Sequence, residues 1–136
     1  MSTASDPTDG RHDQRWLLGS LLRILGPKWL PDVLVTLSAS PRTYSALLAV
    51  IQSNESATAG HPPRAVIQPG VLNRTLRWME ARDLVERTRA DSFPFTTVYR
   101  LTPSAQELAR LLGPLVDWAE HHPELLERDR QARGTA

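Results

Sequence analysis

Apolar residues recur at helical spacing over most of the chain and alternate over one short stretch past its middle, which predicts a mainly helical fold with a single hairpin. Leu17, Leu18, Leu21, Leu22 and Leu25 mark a first helix, capped by Asp13 and stopped by Gly26-Pro27. A second starts at Pro31, whose ring suits a first helical turn, and carries Leu30, Val33, Leu34 and Leu37 on one side up to Ser40-Pro41. A third begins at Thr43 or Tyr44 and runs to about Gln52, with Leu47, Leu48 and Ile51 inward. Gly60, Pro62 and Pro63 then make Ser53 to Arg64 a loop.

A fourth helix is expected from Pro69 to Arg82, with Gln68 as a mediocre cap. Leu72, Leu76 and Met79 face inward, whereas Gly70, Asn73, Arg74 and Arg77 share the other side at i, i+3, i+4 and i+7. Leu84 to Arg89 and Thr96 to Leu101 read as two strands around a turn containing Asp91, Ser92 and Pro94. Thr102 caps a last long helix with Pro103 in its first turn and a stripe of Leu108, Leu111, Leu112, Leu115 and Trp118, bent at Gly113-Pro114.

A chain of 136 residues holds one ordinary domain, so these elements are expected to share a core. The expected division is a disordered, polar N-terminal tail over 1–12, a folded domain over 13–122 and a C-terminal tail over 123–136 with a helical turn or two. No apolar run is long enough to cross a bilayer, and Met1 to Asp13 lacks the form of a signal sequence, so a cytoplasmic location is expected. The absence of cysteine excludes disulfides, thiolate metal sites and thiol-based redox sensing.

The net charge of +1 is uninformative as a sum, because nucleic-acid binders depend on where the positive charge sits. Its distribution is uneven. Arg64, Arg74, Arg77, Arg82, Arg87 and Arg89 stand against Glu80, Asp83 and Glu86 in the centre, while acidic residues dominate beyond Leu101. No nucleophile motif or glycine-rich phosphate loop occurs, so no catalytic residue and no cofactor is expected. Asp117, Glu120, His121 and His122 could form a zinc or nickel site, but a solvated helix end explains them more simply, and no metal is expected.

The order of three helices, an arginine-bearing helix, a hairpin and a helix is that of a winged helix-turn-helix, and the residues resemble the HxlR family of bacterial regulators. Leu25-Gly26-Pro27-Lys28-Trp29 is similar to the family's Gly-Lys-Trp lead-in to its second helix. Ser40-Pro41-Arg42-Thr43-Tyr44-Ser45-Ala46-Leu47 is similar to its Gly-Pro-Arg-Arg-Phe-Ser-Glu-Leu element. Ile67, Leu72, Leu76, Glu80, Leu84, Val85 and Arg87, then Pro94 and Tyr99-Arg100-Leu101-Thr102, match in spacing, so the resemblance covers roughly Trp16 to Glu120. It implies a homodimer joined through terminal helices, with one recognition helix per subunit in the major groove of double-stranded DNA and wings beside the backbone.

Under that resemblance Asn73, Arg74 and Arg77 are expected to meet base edges, since arginine's fork suits guanine and the asparagine amide suits adenine. Gln68 and Gly70 sit at the helix N-terminus, where backbone amides favour a phosphate. Arg42, Tyr44 and Ser45, with Arg89 and Thr96 on the wing, are expected to position the backbone without reading sequence. Trp16, Leu17, Leu18, Leu21 and Leu22, with Leu108, Leu111, Leu112, Leu115 and Trp118, exceed what one small core can hide and are expected to form the dimer interface. Trp29 reads as a core anchor, and Trp78, off the inward stripe, as a support for the long loop or the wall of a small-molecule cleft.

The sequence departs from the family pattern at four places. The N-terminal cysteine is absent, Asp83 stands at a glycine position, Thr96 stands at a wing arginine, and the loop Ser53 to Val66 is about ten residues longer than short helix-turn-helix connections. The leading expectation is a dimeric, sequence-specific transcriptional regulator acting on a pseudopalindrome, most simply as a repressor. The alternative is a winged-helix interaction module or antirepressor that has exchanged DNA for protein. A small-molecule effector is compatible with either.

Overall fold

The computed structural model describes residues 7–57 and 66–134, with side chains placed for 13–53 and 66–134. Among them the elements run α1 (Pro7–Ile24), α2 (Leu30–Ala39), β1 (Arg42–Thr43), α3 (Tyr44–Ala57), α4 (Pro69–Ala81), β2 (Val85–Arg89), β3 (Thr97–Leu101), α5 (Pro103–Glu120) and α6 (Pro123–Gly134). The strands form one antiparallel sheet in the order β1-β3-β2. The expected fold, mainly helical with a hairpin wing, is present.

Several boundaries differ from those the sequence predicts. Helix α1 begins at Pro7, so the expected tail is helical over 7–12, and residues 1–6 lie outside the described residues. Proline lacks the N–H that a first turn leaves unpaired, and a glycine inside a helix weakens it by only about 1 kcal/mol, so neither Pro7 nor Gly10 forbids that start. Helix α3 continues through Ala57 and absorbs the first five residues of the expected loop, because Ser53 to Ala57 holds no glycine or proline. The strongest breakers, Gly60, Pro62 and Pro63, lie outside the described residues. The C-terminal segment is a 12-residue helix, longer than a turn or two.

Helix α2 is the hub of the core. Leu30, Val33, Leu34 and Leu37 are buried, and the helix packs against α3, β3 and α5. Leu47 and Ile51 of α3, Ile67, and Leu72, Leu76 and Met79 of α4 close the same cluster with Val85, Tyr99, Leu101 and Ala105. Trp29 is buried with them, a core anchor as expected. The hydroxyls of Thr36 and Thr75 would be costly inside this cluster, but each donates to the carbonyl four residues back, at 2.7 Å and 3.0 Å.

Helix α4 is held at both ends. At its start Gln68 makes no side-chain cap, and the first turn is closed by Val71 and Leu72 N–H groups donating to Gln68 O. At its end Leu84 N–H donates to Met79 O at 2.9 Å and Asp83 N–H to Glu80 O at 3.1 Å, the paired bonds of a Schellman ending. Asp83 takes the left-handed conformation, φ 59°, at the position where glycine is usual. Thr102 joins this ending to α5: its hydroxyl donates to Asp83 O at 2.7 Å and accepts from Ala105 N–H at 3.3 Å. One buried side chain thus caps α5 and fixes the turn after α4.

Candidate nucleic-acid interface

Antiparallel register sets which wing residues face α4. Val85 pairs with Leu101, Arg87 with Tyr99 and Arg89 with Thr97, and Val85, Leu101 and Tyr99 are buried, so these pairs form the inner face of the sheet. Residues on that face next to the tip are close to the start of α4. Tyr44, Pro69, Gly70, Asn73, Thr97 and Tyr99 line an open cleft of about 470 Å³. The cleft is shared by the first residue of α3, the N-terminal turn of α4 and strand β3.

Tyr44 ties the cleft together. Its phenol donates to Pro69 O at 2.5 Å, which locks the start of α3 to the start of α4, and about two turns further along α3 Gln52 Nε2 donates to Ile67 O at 3.1 Å. Burial, with a smaller contribution from Tyr99, raises the Tyr44 phenol above its usual 10.0, so it remains a neutral donor at physiological pH. At Gly70 an added Cβ would meet nothing within 4 Å, so the first turn of α4 stands open to an approaching group.

Asn73 is half-buried at the cleft wall, whereas Arg74 and Arg77 are exposed on the outer side of α4 and make no ion pair with another described residue. Gln68, Ser45, Arg89 and Thr96 are exposed and Arg42 is half-buried. Arg42 lies in β1 opposite Tyr99, and its Nε is buried without a hydrogen-bond partner among the described residues. Thr96 lies outside the cleft, closing the tip through backbone bonds to Ala90 and Pro94. Thr97, Tyr99 and Pro69 line the cleft although sequence reasoning passed them over. The two-residue alternation Thr97, Tyr99, Leu101 was the signal that could have found the strand residues. Arg87, on the same face, is engaged with Glu80 at 3.5 Å.

Two further expectations are altered. The Trp78 Nε1–H donates to Ile24 O at 3.0 Å, tying α4 to the last turn of α1. Arg82 covers its other face, with the guanidinium carbon 3.2 Å from a ring centroid. The apolar stripe of α5 divides into two arcs. Leu108 and Leu112 pack on the core, while Leu111, Leu115 and Trp118 are exposed. On α1, Trp16, Leu17, Leu18 and Leu22 are exposed and Leu21 is half-buried. His121 and His122 turn Nδ1 onto the carbonyls of Asp117 and Trp118, each at 2.7 Å, as helix-end residues do. Among the described residues no helix is long and apolar enough to cross a membrane.

A helix pair α3–α4 followed by a two-stranded wing that packs beside it defines a winged helix-turn-helix. Residues 62–127, from the approach to α4 through the wing and α5 into α6, match the family model of the HxlR-like helix-turn-helix. The fold is shared with the reduced form of the transcriptional regulator YodB from B. subtilis (TM-score 0.62, 20% identity, 75% of this chain and 87% of that one). It is shared also with the redox regulator HypR in its reduced form (0.64, 20%, 82% and 97%). A third is a structure described as a MarR-family transcriptional regulator from Enterococcus faecalis V583 (0.64, 23%, 93% and 97%). No curated protein matches the sequence.

Proposed function

We propose that the chain is a homodimeric transcriptional regulator that binds double-stranded DNA at a pseudopalindromic site, inserting α4 in the major groove. The observation that carries this is the outer face of α4, where Arg74 and Arg77 stand exposed, beside a cleft that opens on the same helix's first turn. Asn73, Arg74 and Arg77 are the base readers. Gln68, Gly70, Arg42, Tyr44 and Ser45 hold phosphates, and Arg89 and Thr96 extend that grip along the wing.

The exposed arcs of α1 and α5 are the dimer surface in this reading, with Leu108, Leu112 and Leu21 supporting it from the core side. The folded unit is 13–122 extended at both ends by the helical residues of α1 and α6. Repression follows if the site overlaps a promoter, and a cytoplasmic location follows from the target.

Binding to a selected duplex tests the reading. Neutralising about six to ten phosphates should cost some 10³- to 10⁵-fold in affinity between 50 and 200 mM salt. Arg74→Ala and Arg77→Ala should relax base preference, whereas Arg42→Ala should weaken all sequences alike. A flat salt response, or identical behaviour of the two classes, contradicts it.

A further inference from the structure

The wing tip carries an aromatic pair that the contacts proposed so far leave unused. Ala90 N–H donates to Thr96 O at 2.9 Å, and the turn so closed reads Asp91-Ser92-Phe93-Pro94-Phe95. Phe93 is 86% exposed and Phe95 52%, and their rings meet edge to face with centroids 6.3 Å apart. Thr96 N–H donates back to Pro94 O at 2.8 Å, which fixes the return of the chain just behind the rings. The guanidinium of Arg89 lies 5.3 Å from the Phe95 centroid.

A phenyl ring held out in water forgoes the transfer free energy that burial would give it, and two together at a hairpin tip form a small apolar patch without a partner. The tip adjoins the cleft: Thr97, one residue beyond the closing pair, lines it with Gly70 and Asn73. Asp91 is the one ionised group between Ala90 and Thr96, so attraction of this tip to a polyanion cannot come from its own charge. Ring area remains, with the cation of Arg89 at its root. Apolar side chains of this kind enter the minor groove and partly unstack a base step, at least cost where a pyrimidine precedes a purine.

We propose that Phe93, backed by Phe95, is a wedge that inserts into the minor groove flanking the sequence read by α4. Sequence preference would then extend to flanking steps that no polar side chain contacts. The inference rests on the DNA-binding reading, and the two fail differently.

The full chain is titrated, at fixed salt, with duplexes that wild type selects from a randomised pool, carrying 2-aminopurine at flanking CA/TG steps or at AA steps in their place. Wild type should raise 2-aminopurine fluorescence at the CA/TG flanks and bind those duplexes more tightly. Phe93→Ala should abolish the fluorescence rise and cost about tenfold in affinity, comparable to the loss of one stacked base, with the salt slope unchanged. Phe93→Leu, which keeps an apolar wedge, should retain part of both. Phe93→Ala binding with wild-type affinity, fluorescence and flank preference overturns the wedge while leaving the DNA reading intact. So does an unchanged DNA response with loss of a protein partner. If wild type selects no duplex at low salt, the DNA reading fails and takes the wedge with it.

Discussion

Asp83 and Tyr44 show how single residues shape this interface. Asp83 is a non-glycine residue at φ 59°, which costs about 1 kcal/mol that glycine would not incur. Asp83→Gly should therefore raise stability by up to about 1 kcal/mol, seen as a higher urea midpoint at an unchanged m-value. An unchanged midpoint would mean that the carboxylate compensates. Tyr44→Phe deletes the donor to Pro69 O and should cost about 1 kcal/mol in the same assay.

Tyr44 also yields a pH prediction. A raised phenol binds its proton more tightly when folded, so its stabilisation is complete below 10.0 and is lost as pH rises through the higher folded value. With only two tyrosines in the chain, the difference in alkaline ultraviolet titration between wild type and Tyr44→Phe should show one phenol ionising above 10.0. The left-handed residue after α4 was legible from the position of Asp83 alone. The Tyr44 bond was not, because it joins residues 25 apart in sequence.

At the level of elements, periodicity located α1 to α5 and both wing strands, and it failed where local preferences are weak, as in α6, or the element is too short. Strand β1 has two residues, too few for alternation to register, and exists because β3 offers it a partner. Helix α3 runs six positions past Ile51, the last inward residue that the spacing predicts, which a hydrophobic pattern cannot report. The bond between α4 and α1 through Trp78 was also invisible, since an aromatic off the inward stripe has no sequence signature for what it touches. Trp78→Phe keeps the ring and removes only the donor to Ile24 O, so it should cost about 1 kcal/mol by denaturant unfolding. Wild-type stability in that variant would show the bond to be idle.

Over the whole molecule, the apolar stripes were visible in the sequence, but which of their residues meet the core was not. Spacing gives a helix's apolar arc, and only packing divides it, as it divides Leu108 and Leu112 from Leu111, Leu115 and Trp118. Trp16 is 65% exposed and Leu115 61%, large residues that a second copy would bury. Leu115→Glu should therefore turn a dimer into a monomer in sedimentation while leaving the helical circular dichroism intact. It should also lower operator affinity by more than tenfold, since each half-site would bind alone. A monomeric wild type would remove this surface from the account.

The central claim is that α4 reads DNA sequence and that two copies do so together. Selection of wild-type binding sites from genomic fragments at low salt tests it most directly. The account predicts an enriched pseudopalindrome with half-sites about 10 base pairs apart or a multiple of that, because two recognition helices related by a twofold axis must meet the groove on one side of the duplex. Recovery of fragments with no common motif would contradict it.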